Sequence, residues 1–272
     1  MLLSVIIPTC NRNDLLGLCL ERLQAGAQAA GDFQYEVIVT DDGAANNAKQ
    51  FIEQNHSWAK WVEGPKRGPA ANRNNGAKQS NGAWIVFFDD DCLPDADVLL
   101  QYHTAIVQKS EVRVFEGAIY CNEEIKSPLY VTPVNLTGGY LWSCNFGIER
   151  SLFEQLAGFD EHFKYANLED NDLHFRIKQL SEPVVFLPEA RVEHPPRPMA
   201  TPQKLARYHE SWLYYHKKIG KEKTVADLLK TIFRNRLMSI SKRPLSIDSF
   251  IAFRNLLIEL WCTTMRYGFK KN

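Results

Sequence analysis

Residues 83–92 read Ala83-Trp84-Ile85-Val86-Phe87-Phe88-Asp89-Asp90-Asp91-Cys92, an apolar run of β-branched and aromatic residues that stops at three adjacent carboxylates. A run of this length and composition suits a central strand covered on both faces better than an amphipathic helix. Ligands of open α/β sheets bind beyond the carboxyl ends of such strands, so Asp89, Asp90 and Asp91 are expected to line a crevice. Three carboxylates packed together repel one another unless a cation sits among them, and a divalent metal ion is the natural partner. Pro94 is expected to stop the strand.

Working outward, residues 3–7 form a first strand, and Pro8-Thr9-Cys10-Asn11-Arg12 leads into a helix with Leu16, Leu20 and Leu23 on one face. A second strand over 35–40 also ends in acids, Asp41-Asp42-Gly43, and a helix over about 46–54 and a short strand at Trp61-Val62 follow. This βαβαβ order predicts a doubly wound sheet with right-handed crossovers, in which Asp41 and Asp89 face the same crevice. The helix that begins at Asn72-Arg73-Asn74 offers an amide-rich, cationic start where an anion can be held. Further on, a helix over 95–107 and a strand over 112–120 precede an aperiodic segment, 121–139, of the length that often covers a site.

Four stretches, Val5-Ile6-Ile7-Pro8-Thr9 with Asn11-Arg12, Val39-Thr40-Asp41-Asp42-Gly43, Asn72-Arg73-Asn74 with Gly76, and Phe87-Phe88-Asp89-Asp90-Asp91, resemble in order the motifs of family 2 glycosyltransferases. The resemblance implies an α/β chain of the GT-A fold, Rossmann-like with a mostly parallel sheet flanked by helices. It implies a nucleotide-diphosphate sugar donor, UDP favoured over dTDP and GDP, a Mn²⁺ or Mg²⁺ ion on the diphosphate, and inversion at the anomeric carbon. By the same resemblance Pro8, Thr9 and Arg12 border the base, and Asp41 accepts from base or ribose. Asp89 holds the ribose, with Asp90, Asn72 and Arg73 completing the donor side, and Asp91 binds the metal. In some family members a histidine placed like His194, which follows Pro188-Glu189-Ala190-Arg191-Val192-Glu193, completes the metal shell.

The acceptor side is expected in two stretches. Gly138 to Gly147 mixes small residues with aromatics, and Trp142 and Asn145 are its candidates for a sugar-facing floor. Glu169-Asp170-Asn171-Asp172 opens a helix carrying Leu173 and Ile177, where the family places its base. Direct displacement needs a group within hydrogen-bond reach of the acceptor hydroxyl, and Asp170 is the expected base, with Glu169 and Asp172 in reserve. Carboxylates also stabilise a helix N-terminus without any catalytic role. The acceptor class expected is a saccharide or lipid-linked saccharide. A sugar nucleotidyltransferase would use a similar sheet and metal, but its glycine-rich, basic first loop is replaced here by Pro8 to Arg12. A non-catalytic module docking through basic helices is the remaining reading.

The 272 residues have zero formal net charge, unevenly spread: residues 201–272 carry 15 Lys and Arg against 5 acids, and residues 1–200 carry 17 against 27. A transferase domain over 1–200 and a basic helical extension over 201–272 are expected, with aromatic and aliphatic residues at helical spacing from Leu205 onward. Such helices suit an anionic membrane surface, packing on the domain, or a homodimer contact, and no nucleic-acid recognition motif accompanies them. The amino-terminal sequence reads as a strand and not as a signal peptide. No uncharged run approaches the ~20 residues that span a bilayer. Six cysteines scattered without metal-like spacing point to reduced thiols, hence a cytoplasmic protein, peripheral on the membrane if the extension binds it.

Overall fold

A computed structural model describes residues 1–29, 31–44, 47–242 and 246–268. Asn46, where the second helix was expected to begin, and the basic Arg243, Lys270 and Lys271 lie outside the described residues. The chain forms two compact units, residues 1–122 with 133–195, and residues 123–132 with 196–272.

In the first unit β1 (Leu2–Thr9), α1 (Asn13–Leu23), β2 (Gln34–Asp41), α2 (Lys49–Asn55), β3 (Lys60–Glu63), α3 (Pro69–Lys78) and β4 (Trp84–Phe88) follow the expected alternation. A two-residue β5 (Leu93–Pro94), α4 (Val98–Gln108) and β6 (Val114–Tyr120) come next. After β7 (Tyr130–Val131), which belongs to the second unit, come β8 (Asn145–Glu149), α5 (Arg150–Gln155), α6 (Glu169–Gln179) and β9 (Val184–Glu193). Eight strands make one sheet in the order β3-β2-β1-β4-β8-β6-β9-β5.

β1, β2, β3 and β4 run parallel, as the alternation requires, but β4 has β8 as its other neighbour, and that pairing is antiparallel. All five residues of β4 are buried, which explains its unbroken apolar run. Phe87 stacks on Phe146 of β8 with ring centroids 5.0 Å apart and meets Phe159 edge-on at 5.3 Å. Burial of each such ring is worth roughly 1.5–3 kcal/mol. Pro94 does not end the path at a turn: Leu93 and Pro94 pair with β9 at the sheet edge, where a residue without an N–H is tolerated.

The chain passes from β1 outward through β2 to β3 and returns to the other side of β1 as β4. That reversal opens a crevice at the carboxyl ends of β1 and β4, where Thr9 and Asp89 to Asp91 lie. One backbone position there requires glycine. Gly68, which precedes α3, has φ +98°, and a Cβ on it would come within 2.4 Å of the Lys164 carbonyl oxygen.

The second unit contains β7, β10 (Arg197–Pro198), α7 (Pro202–Lys218), α8 (Val225–Ser241) and α9 (Ile247–Tyr267). Part of the aperiodic segment expected to cover a site is thus β7, paired antiparallel with β10. Leu228, Ile232 and Leu256 form the buried centre of the three helices, with Trp212, Leu213 and Leu260 packed on it. Among the described residues no helix is long and apolar enough to cross a membrane.

Candidate active site

The end of β1 holds the acids that follow β4. Thr9 Oγ1 donates to Asp90 Oδ2 at 2.7 Å, and the Arg12 guanidinium reaches Asp90 Oδ1 at 2.5 Å and Asp91 Oδ2 at 3.1 Å. Asp90 is fully buried, and burial together with the charge of Asp91 pushes its pKa up to about 7 against the pull of Arg12 and Thr9. Pro8 is buried within β1.

Asp41 and Asn72 face inward. Asp41 accepts from the Gly43 N–H at 2.7 Å, the Ala48 N–H at 2.6 Å and Trp61 Nε1 at 3.2 Å, which fixes the loop after β2. Asn72 accepts from Thr40 Oγ1 at 2.7 Å and donates to the Thr40 carbonyl at 2.8 Å. These bonds tie α3 to β2 and leave Asn72 only 2% exposed. Asp42 accepts from the N–H groups of Lys66 and Gly68 and so orders the loop before α3.

Arg73, expected to meet a phosphate, is instead 3% exposed and held by two carboxylates. NH2 lies 2.6 Å from Asp89 Oδ1 and NH1 lies 3.0 Å from Glu169 Oε1. Burial acts to lower its pKa, but the charges of Asp89 and Glu169 outweigh it, so the guanidinium stays charged. Arg73 therefore joins the acid after β4 to the acid that opens α6.

α6 begins from Leu168 in a left-handed conformation, φ +71°, which turns Glu169 inward. Burial and the neighbouring Asp170 push Glu169 up to about 7, with Arg73 opposing. Asp170 keeps some exposure. Its Oδ1 accepts from the Asn171 N–H at 2.7 Å and its Oδ2 from the Ser143 N–H at 3.4 Å, and burial raises its pKa. Through Ser143 this carboxylate meets the loop carrying half-buried Trp142, whose ring lies 4.8 Å from Tyr140.

Two expected acceptor residues do not face that loop's surface. Asn145 is fully buried: it accepts from Tyr102 Oη at 2.8 Å and donates to the carbonyls of Ala118 and Ala190 at 2.8 Å each. Its amide is needed inside the sheet, so the sequence expectation of a sugar-facing Asn145 is corrected. Asp172, also fully buried, accepts from Arg176 Nε at 2.8 Å, and Arg176 in turn donates to the carbonyls of Leu156 and Gly158. Asp172 thereby anchors α6 and stands apart from the partly exposed Asp170.

At the far end of the acid run His194, just beyond β9, places Nε2 3.4 Å from Asp91 Oδ1. Its Nδ1 lies 3.0 Å from the Pro195 carbonyl, which fixes the tautomer with Nε2 turned to the carboxylate. Cys92 supplies a third atom of this group, all ligand atoms lying within 4.8 Å of one another. Burial raises the Cys92 thiol pKa well above its usual value, and the harder donors of the group are an imidazole nitrogen and a carboxylate oxygen. That set fits a divalent ion such as Mn²⁺, with Asp91 and His194 as the residues that would hold it.

A family model for glycosyl transferase family 2 matches residues 4–157. The chain belongs to this family. An uncharacterized glycosyltransferase of Haemophilus influenzae is 31% identical over 202 residues, 67% of this chain and 63% of that protein. The GalNAc(5)-diNAcBac-PP-undecaprenol beta-1,3-glucosyltransferase of Campylobacter jejuni is 36% identical over 95 residues, 33% of this chain and 29% of that protein. The chain thus spans less than two thirds of the length of these relatives. Its fold is also that of the mannosyltransferase PcManGT from Pyrobaculum calidifontis, solved with GDP-Man and Mn²⁺. There the TM-score is 0.58 at 17% identity, over 99% of this chain and 76% of that one. Family members transfer sugars from nucleotide sugars.

Sequence reasoning passed over one carboxylate of the chain. Glu116 of β6 is 1% exposed and accepts from the N–H groups of Gly139, Tyr140 and Leu141 and from Asn135 Nδ2, all at 2.6–2.9 Å. It shapes the loop that delivers Trp142 and Ser143. The signal was present, since Val114-Phe115-Glu116-Gly117-Ala118 sets one charge inside an apolar strand.

Proposed function

We propose that the chain is a divalent-metal-dependent, inverting transferase. It moves a sugar from a nucleoside-diphosphate sugar, UDP being the first base to test, to a hydroxyl of a saccharide or lipid-linked saccharide in polysaccharide or glycolipid assembly. The observation that carries the reading is Arg73 clasping Asp89 on the donor side and Glu169 beside Asp170 on the acceptor side. One cation thereby fixes the spacing of two carboxylate groups with different duties.

Thr9, Arg12, Asp89 and Asp90 line the donor side in this reading. Asp91 and His194 would hold a Mn²⁺ or Mg²⁺ ion, which would supply charge neutralisation for the diphosphate leaving group. Asp170 accepts the proton of the acceptor hydroxyl as its oxygen bonds to the anomeric carbon and the bond to the diphosphate breaks. Its raised pKa makes it a better base than an exposed aspartate. Glu169, set near neutrality and paired with Arg73, orients this carboxylate. The lipid-linked acceptor draws support from the name of the C. jejuni relative, and Trp142 with Tyr140 offers the aromatic surface a sugar ring stacks on.

A thermal-shift panel of UDP, dTDP, GDP and CDP, with and without Mn²⁺, tests the reading on wild type and Asp91→Ala. Ligand bound to the native state raises its apparent stability. A metal-dependent shift for one nucleotide, lost in Asp91→Ala, is the expected result. Equal shifts with and without metal, or no shift with any nucleotide, overturn it.

A further inference from the structure

The second unit carries a surface that the transferase reading does not use. Along α9, Ile247, Phe250, Phe253, Leu257, Trp261 and Met265 recur three or four residues apart and are 43–78% exposed. They form one apolar stripe about 27 Å long, at 1.5 Å per residue. A monomer rarely leaves so many large apolar side chains contiguous in water.

The opposite face of α9 is occupied. Leu256 is buried in the core of the helical bundle, and Glu259, 2% exposed, accepts from His209 Nε2 of α7 at 2.9 Å and Arg236 Nε of α8 at 3.1 Å. A helix pinned by a buried carboxylate on one side and bare on the other is suited to lie in an interface and not to cross a membrane, in keeping with the absence of a spanning helix among the described residues.

Charge selects the occupant. Of the charged residues of α9, Arg254 and Arg266 are exposed, Asp248 is half-buried and Glu259 is buried. On α8, exposed Phe233, Leu237 and Met238 are interleaved with exposed Lys230 and Arg234, exposed Lys242 follows the helix, and Asp227 is engaged in the capping box with Thr224. The exposed charge beside these apolar residues is cationic on both helices, so two copies meeting there would oppose cation to cation, whereas an anionic headgroup layer is complementary and accepts the apolar side chains beneath.

We propose that the α9 stripe, with its α8 cations, is the surface by which this protein docks on an anionic lipid bilayer. Arg254 and the α8 cations engage headgroups, and Phe250, Leu257 and Trp261 enter the boundary with the acyl chains. The proposal rests on the second unit alone and stands whether or not the transferase chemistry proposed above is correct.

Full-length protein is sedimented with vesicles of phosphatidylcholine alone or mixed with phosphatidylglycerol in about equal parts, at low and high salt. Binding to the mixed vesicles is expected, weakened on the order of tenfold or more by removal of the anionic lipid, by high salt, or by Phe250→Glu with Trp261→Glu. Brominated acyl chains are expected to quench a component of the fluorescence that Trp261→Phe lacks, a readout that does not depend on the double variant folding. Equal binding to both vesicle types, no binding, or quenching unchanged in Trp261→Phe overturns the proposal. So does sedimentation velocity that shows a dimer in wild type, a monomer in the double variant and no affinity for vesicles, since the face would then close on a second copy.

Discussion

Glu169 in the sheet unit and Glu259 in the helical unit are the same residue at nearly the same burial, 3% and 2% exposed, yet their environments drive them in opposite directions. Burial raises Glu169 to about 7, because Asp170 and Asp89 add to the desolvation and Arg73 is shared with Asp89. Burial would raise Glu259 as well, but the hydrogen bond from His209 and the charge of Arg236 outweigh it and hold it below the usual carboxylate range. The count of charges around a buried acid, more than its depth, decides whether it titrates near neutrality. An acid-rich crevice keeps protons in play, and a cation-rich bundle uses its acid as a rivet.

The contrast can be broken at three places. Asp170→Asn, which keeps the shape of the crevice, is expected to lower kcat by about 10²–10⁴ with thermal stability retained. Transfer at wild-type rate would remove Asp170 from the chemistry. In the bundle, Glu259→Gln is expected to cost about 2–3 kcal/mol in urea unfolding, somewhat less than for a fully buried pair because Arg236 keeps solvent contact. A change near zero would mean that the three helices do not depend on the rivet.

The third is a slope with pH. Glu169 has a folded-state pKa near 7 against an ordinary value of 4.5, so the native state holds its proton longer than the unfolded chain. Its contribution to stability is therefore greatest below about pH 4.5 and falls as pH rises to 7, by at most about 1.4 kcal/mol per pH unit. Glu169→Gln is expected to remove that component from the pH dependence of the urea midpoint. Glu259 runs the other way: its contribution is present above pH 4.5 and is lost as the pH falls through its lowered folded-state pKa. A slope across pH 4.5–7 unchanged by Glu169→Gln would show that Arg73 neutralises Glu169 fully.

Much of this was legible in the chain because it depends on local pattern. Alternation of apolar runs with amphipathic stretches specifies β1 to β4 and their helices, and Asp89, Asp90 and Asp91 must emerge together because they follow one buried strand. His194 reaches Asp91 only through the placement of β9 in the sheet, and motif order alone suggested it. Asn145 and Asp172 misled because a polar side chain reads the same in sequence whether it faces a sugar or, as here, backbone carbonyls for Asn145 and the Arg176 guanidinium for Asp172. For Asn145 the partners come from β6 and β9, which tertiary packing brings beside β8, and for Asp172 the burial of α6 turns it to Arg176, one turn along the same helix.

By itself the sequence determined the parallel α/β core, the acids at the ends of its strands, and a basic, helical carboxyl-terminal region, since periodicity and composition act over a few residues at a time. Only tertiary structure decided that β8 runs antiparallel beside β4, that Arg73 is the clasp between two acids, and that Glu116 holds the Trp142 loop. It also decided that Leu256 is buried while Leu257 and Trp261 remain bare. Those outcomes turn on which distant groups share a low-dielectric space, where an unpaired charge is too costly to leave and a partner far along the chain is as near as the next residue.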